Sequence, residues 1–126
     1  MQVLLPPGWP RPRGYANGVV AQGRQVFIAG MIGWDAEGRF HSDDFTAQTR
    51  QALANIERAL KQAGARLNDV VRTRIYVTDI RLWQEVGRAH GEVFGDIRPA
   101  TSMVQVSGLI DPAMLVEIEA EAIVEG

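Results

Sequence analysis

Between Pro99 and Val124 apolar and polar side chains alternate almost one for one. Ala100, Ser102, Val104 and Val106 share one side of the first run, and Thr101, Met103 and Gln105 the other. In the second run Val116, Ile118, Ala120, Ala122 and Val124 alternate with Glu117, Glu119 and Glu121. Successive side chains leave a strand on opposite faces, so this period predicts two half-buried strands, joined by a loop over residues 108–114. Three carboxylates on one strand face repel each other unless basic groups or a site lie opposite.

The same reading extends upstream. Residues 70–78 alternate as a strand, with Val71, Thr73, Ile75 and Val77 on one face and Val70, Arg72, Arg74 and Tyr76 on the other. Residues 15–21 and 25–29 read as two short strands, and Gln22-Gly23-Arg24 between them favours a hairpin. Phe45, Thr49, Ala52, Leu53, Ile56, Leu60 and Ala63 recur at helical spacing. Ser42-Asp43-Asp44 offers N-cap oxygens before that helix, and Gly64 suits the position just past its end. A second helix is expected over 82–94 from Leu82, Val86, Ala89 and Val93, weakened by Gly87 and Gly91. Four of the six prolines fall in residues 1–14, which read as an extended arm carrying Trp9 as a packing residue.

The resulting order, β-β-α-β-α-β-β, predicts a single α+β domain over residues 1–126, a mixed sheet with two helices on one face. Thr101, Met103, Val70, Tyr76 and Ile123 are expected on the other face, mixed with charge and too apolar to sit in water. Self-association is the simplest cover.

Composition narrows the functional classes. A net charge of −2 with interspersed signs lacks the basic footprint of nucleic-acid binding. The absence of cysteine removes disulfide and thiolate chemistry, and two scattered histidines make no metal site. No leader pattern or membrane-length apolar run is visible, so a cytoplasmic protein without a membrane partner is expected. His90, near the end of its helix, reads as a solvated or capping residue rather than a catalytic one.

PATSMVQV followed by LVEIEAEAIV resembles the closing signature of the RidA/YjgF family, roughly P-A-R-S-x-V-x-V and then V-E-I-E-A-x-A in its deaminating members. Tyr15 and Gly18, Ala29-Gly30, Gln48, Asn55-Ile56, Ala63-Gly64 and Asp69-Val70-Val71 extend the likeness in the same order along nearly the whole chain. The resemblance implies a chorismate mutase-like homotrimer with three ligand sites at the subunit clefts. It also implies hydrolysis of enamines and imines such as 2-aminoacrylate to a keto acid and ammonia, without cofactor or metal.

In such a site an arginine grips the substrate carboxylate and a glutamate handles the water or proton. Glu117 matches that glutamate by position; alternatively it is a strand carboxylate paired with Arg72 or Arg74. Tyr15 and Gly30 match pocket positions, Tyr15 being otherwise a partly buried ring. Trp34, in a turn that departs from the family pattern, reads as a pocket wall or a subunit contact. Thr101 stands where the deaminating members carry arginine, and Met103 makes the pocket softer and more apolar. Threonine offers one neutral hydrogen bond in place of a charged fork. Either the small-molecule ligand is not a 2-imino acid, or another cation (Arg72, Arg74, Arg98 or Arg13) enters the cleft. Three classes follow: an imine or enamine hydrolase with altered substrate choice, a non-catalytic small-molecule-binding trimer, and an RNA-cleaving protein, the last disfavoured by charge.

Overall fold

In the computed structural model, which describes residues 1–40 and 43–126, four strands form the central sheet. They are β3 (Arg24–Ile32), β4 (Val70–Val77), β5 (Ala100–Gln105) and β6 (Val116–Val124), in the order β3-β6-β4-β5. β6 runs antiparallel to both neighbours, and β4 and β5 run parallel. Parallel neighbours need a crossover, which α2 (Trp83–Phe94) supplies. α1 (Phe45–Gln62) returns the chain from β3 to β4, and both helices lie on one face of the mixed sheet.

α1 forms where its caps and apolar spacing agree. Asp44 accepts from the Ala47 amide at 2.9 Å, placing a carboxylate at the positive end of the helix. Ser42 lies outside the described residues. At the far end Gly64, at φ 70°, allows the Gly64 and Ala65 amides to bond back to the last turn. Ala52, Leu53, Ile56 and Leu60 then pack on Ile75 and Val77 of β4 and on Ile118, Ala120 and Ala122 of β6, with Val86 and Phe94 from α2 completing the core. Gln48, buried in α1, donates to Ala113 O at 2.8 Å and accepts from Leu115 N at 2.9 Å, pinning the loop that leads into β6.

Three expectations from the pattern need correction. Gly18–Val20 (β2) does not form a hairpin with β3; it pairs antiparallel with β1 (Gln2–Leu4), inside the arm, in a separate two-stranded sheet. Val70 is fully buried rather than on the uncovered face, because the β4–β6 register shifts between Val70 and Arg72 and turns its side chain inward. Thr101 and Met103 also lie on the helix side: they pair with Thr73 and Ile75, both buried under the helices. The uncovered face is accordingly more charged than expected. It carries Arg72, Arg74 and Tyr76 beside Glu117, Glu119 and Glu121, with Phe27 69% exposed.

Candidate functional site

β5 is an edge strand, and the space beside it is bounded by α2 above and by the arm at the side. Ala16 donates its amide to Pro99 O at 2.9 Å and bridges to Ala100 in parallel, which seats Tyr15 against the start of β5. A cleft of about 690 Å³ results, with Thr101 and Met103 on its floor and Tyr15, Trp83, Arg13 and Arg88 around it. Tyr15, Thr101 and Met103 thus border one cleft. Trp83, at the rim, is 53% exposed.

The hydroxyl groups of the floor are hydrogen-bonded to one another and to neighbouring groups. The Thr101 hydroxyl lies 2.7 Å from that of Thr73 and 3.1 Å from Pro99 O, and the Thr73 hydroxyl lies 2.9 Å from His90 Nε2. Thr101 is thus held in a chain of hydrogen bonds. His90, 3% exposed, is neither solvated nor a cap: it is turned onto Thr73 at the bottom of the cleft and packs, tilted, on Phe94 with ring centroids 4.7 Å apart. Burial lowers its pKa to about 4, so the ring is neutral at physiological pH. The unfolded chain takes up a proton near pH 6.5 that the folded one refuses until near pH 4. Stability should therefore be full above pH 6.5 and fall by about 2 kcal/mol between pH 7 and pH 5. Denaturant midpoints at the two pH values check this, and His90→Gln should remove most of the difference.

A second constellation lies on the opposite face of the sheet. Arg74 pairs with Glu121 at 2.8 Å, and the Tyr76 hydroxyl donates to Glu119, a bond that with burial raises the tyrosine pKa. Those two contacts use two of the three strand carboxylates. Glu117, opposite Tyr76 in register, is half-buried and makes no hydrogen bond or ion pair among the described residues. Its pairing with Arg72 or Arg74 is not formed. Its carboxylate lies over Gly30, where the β3–β6 register shifts: a Cβ built on Gly30 would stand 2.3 Å from Glu117 Oε2. The glutamate fills the space a side chain at 30 would take, so any larger residue there would have to displace it. Trp34 stands two residues beyond Ile32, the register partner of Glu117, and packs on Phe40 at 6.1 Å. It borders neither Thr101 nor Met103.

The Endoribonuclease L-PSP family model matches residues 10–124, nearly the whole chain. The chain belongs to the RidA/YjgF family. Among curated relatives it is 32% identical to a 3-aminoacrylate deaminase, RutC, of Acinetobacter baylyi over 122 residues, 96% of each chain. Among solved structures it is 57% identical to a Mycobacterium tuberculosis member of the YjgF/YER057c/UK114 family, with a TM-score of 0.74 and 88% and 87% of the two chains covered. A Rid-family protein of unknown function from Yersinia pestis aligns over 98% of both chains at 35% identity and a TM-score of 0.89.

For a Rid-family chain the division of these residues matters. Tyr15, Thr101 and Met103 border one cleft, whereas Gly30 and Glu117 meet on the far side of the sheet. Of the four arginines considered from sequence, Arg13 borders the cleft, Arg74 is tied to Glu121 and Arg72 extends from the other face. Arg98 borders an adjoining groove. Arg88 and Trp83 were missed. The signal was present in α2: Gln84 and Arg88 stand four apart with Gly87 between, a polar stripe beside a small residue.

Proposed function

We propose that the chain works as a homotrimer that binds small imines or enamines between subunits and hydrolyses them to a carbonyl product and ammonia. The observation that carries this reading is the free Glu117 carboxylate on one sheet face and the Tyr15–Thr101 cleft at the β5 edge on the other. A single sheet separates them, so one ligand can meet both only if the β5 edge of one copy abuts the Glu117 face of the next. The exposed Phe27 on that face supports such an interface. Family membership supports the trimer.

In this arrangement Arg13 and Arg88 take the place of the absent arginine at 101 and hold a substrate carboxylate by charge-assisted bonds. Trp83, Met103 and Ile75 take an apolar substituent. Glu117 accepts a proton from the attacking water and returns it to the leaving nitrogen, so that the C=N bond is exchanged for C=O and ammonia departs. The preferred substrate is then a bulky 2-imino acid rather than 2-aminoacrylate.

Light scattering should give a mass about three times 13.9 kDa. Ammonia release from imines generated in situ should favour aromatic over three-carbon substrates. Arg88→Ala should raise KM about 10- to 100-fold for carboxylated imines alone. Tight, saturable binding without ammonia release from any imine would leave a non-catalytic binding trimer.

A further inference from the structure

Next to the cleft, and sharing Arg13 and Arg88 with it, lies a groove of about 500 Å³ between the arm and the second half of α2. Four guanidinium groups border it, those of Arg11, Arg13, Arg88 and Arg98, against the single carboxylate of Asp96. Four of the 13 basic side chains of a chain whose net charge is −2 are thus gathered at one place.

Several of the arginines elsewhere are paired, although Arg72 Nε, on the far face of the sheet, is also buried without a partner. Arg50, Arg74 and Arg81 each hold a carboxylate, and Arg24 donates to Ala63 O. Arg11, Arg13 and Arg88 make no hydrogen bond or ion pair among the described residues. Arg98 donates only a long Nε bond, 3.4 Å, to Tyr15 O, and its Nη2 is buried with no partner. Its backbone is at φ 58° immediately before Pro99, a conformation that a non-glycine residue preceding proline rarely adopts. Four like charges gathered against fewer carboxylates (Asp96 at the groove, and Glu92 near Arg88), a buried donor without an acceptor and a strained backbone all cost folding stability. A bound anion would offset the first two.

The groove is also preorganised. Pro10 and Pro12 restrict the arm on either side of Arg11, and Gly14, at φ 74°, rests its backbone on that of Gly91. We infer that this groove is a binding site for a phosphate-bearing small molecule. Guanidinium forks match phosphate and carboxylate oxygens in pairs, and one fork satisfies one carboxylate. Four forks around one space call for a ligand with several negative charges on one group. The inference does not depend on whether the neighbouring cleft is catalytic.

Inorganic pyrophosphate is the probe, titrated calorimetrically into the intact oligomer at fixed ionic strength, with citrate as the polycarboxylate control. Arg11 and Arg98 border the groove and not the cleft, which Arg98 meets only through its long bond to Tyr15 O, so their variants leave the side chains that line the cleft in place. Arg98→Gly is the decisive one, because glycine adopts φ 58° without strain and the fold should be retained. Saturable binding of one pyrophosphate per chain is expected, weakened at least about tenfold by Arg98→Gly and by Arg11→Ala. Arg81→Ala, which removes an exposed ion pair outside the groove's lining, should leave it unchanged. Absence of saturable binding would overturn the assignment, as would equal weakening by Arg81→Ala. Citrate binding as tightly as pyrophosphate would overturn the phosphate class.

Discussion

Glu117→Gln should lower ammonia release by about 10²- to 10⁴-fold, the range general acid–base catalysis contributes, and leave folding and oligomer mass unchanged. The two effects separate because Glu117 holds nothing in its own chain. Glu119 is bonded to Tyr76 and Glu121 to Arg74, so glutamine at either of those positions would loosen the sheet face as well. At 117 the amide fits the same space over Gly30 but cannot take a proton. KM should change little, since the substrate is held on the other side by Arg13 and Arg88. Gly30→Ala should reproduce much of the loss by another route. A Cβ there would stand 2.6 Å from the Glu117 carboxyl carbon and must push the carboxylate out of its position. Turnover retained in both variants would remove Glu117 from the chemistry.

The largest effect on the fold is expected from Gly14→Ala. Alanine at φ 74° is strained by about 1–2 kcal/mol, and its methyl carbon would stand 2.9 Å from Gly91 Cα, a backbone atom in mid-helix that cannot step aside. Overpacking of that kind adds about 1–3 kcal/mol, for a total loss of about 3 kcal/mol or more. Gly8→Ala is the matched control. Gly8 has φ 84° but nothing within 4 Å of its added carbon, so it should cost the strain alone. Denaturant midpoints separate the two. Because Gly14 anchors the arm beside Arg13 and Tyr15, KM should rise in the first variant and hold in the second.

The elements that could be read from sequence are those where local chemistry and burial agree. α1 carried its N-cap, its apolar spacing and its terminal glycine in one stretch, and β6 alternated without interruption. What could not be read was which face of a strand turns inward. Period two is symmetric about the sheet plane, so Thr101 and Met103 were assigned to the open face although Thr73 and Ile75 draw them under the helices. The irregularity at Val70 shifts the alternation by one residue, and nothing in VVRTR marks it. β2 turned to the arm because Leu4 and its neighbours offer it a partner that only the folded chain brings near.

At the site, the residue types were legible and their grouping was not. Gly30 and Glu117 sit 87 positions apart in sequence, and only the β3–β6 register places one over the other. His90 was misread for a related reason. Helical spacing puts it one turn past Val86, on the buried side, but a polar residue near a helix end is usually exposed. The hydroxyl of Thr73 satisfies it there. Arg88 escaped notice because its importance comes from the arm folding back across α2, a contact made through Gly14 and Gly91.

The most direct measurement is ammonia release from a mixture of two variants, Glu117→Gln and Arg88→Ala, unfolded together and refolded. One damages the open face of the sheet and the other the cleft beside α2, and at a carboxylated-imine concentration well below the wild-type KM each alone should be at least about tenfold slower than wild type. In mixed oligomers some clefts receive the intact Glu117 face from one chain and the intact Arg88 edge from another, so a substantial fraction of wild-type activity should return. Activity that stays at the level of the separate variants, with mixed oligomers demonstrated by mass, would mean that no site is shared between chains.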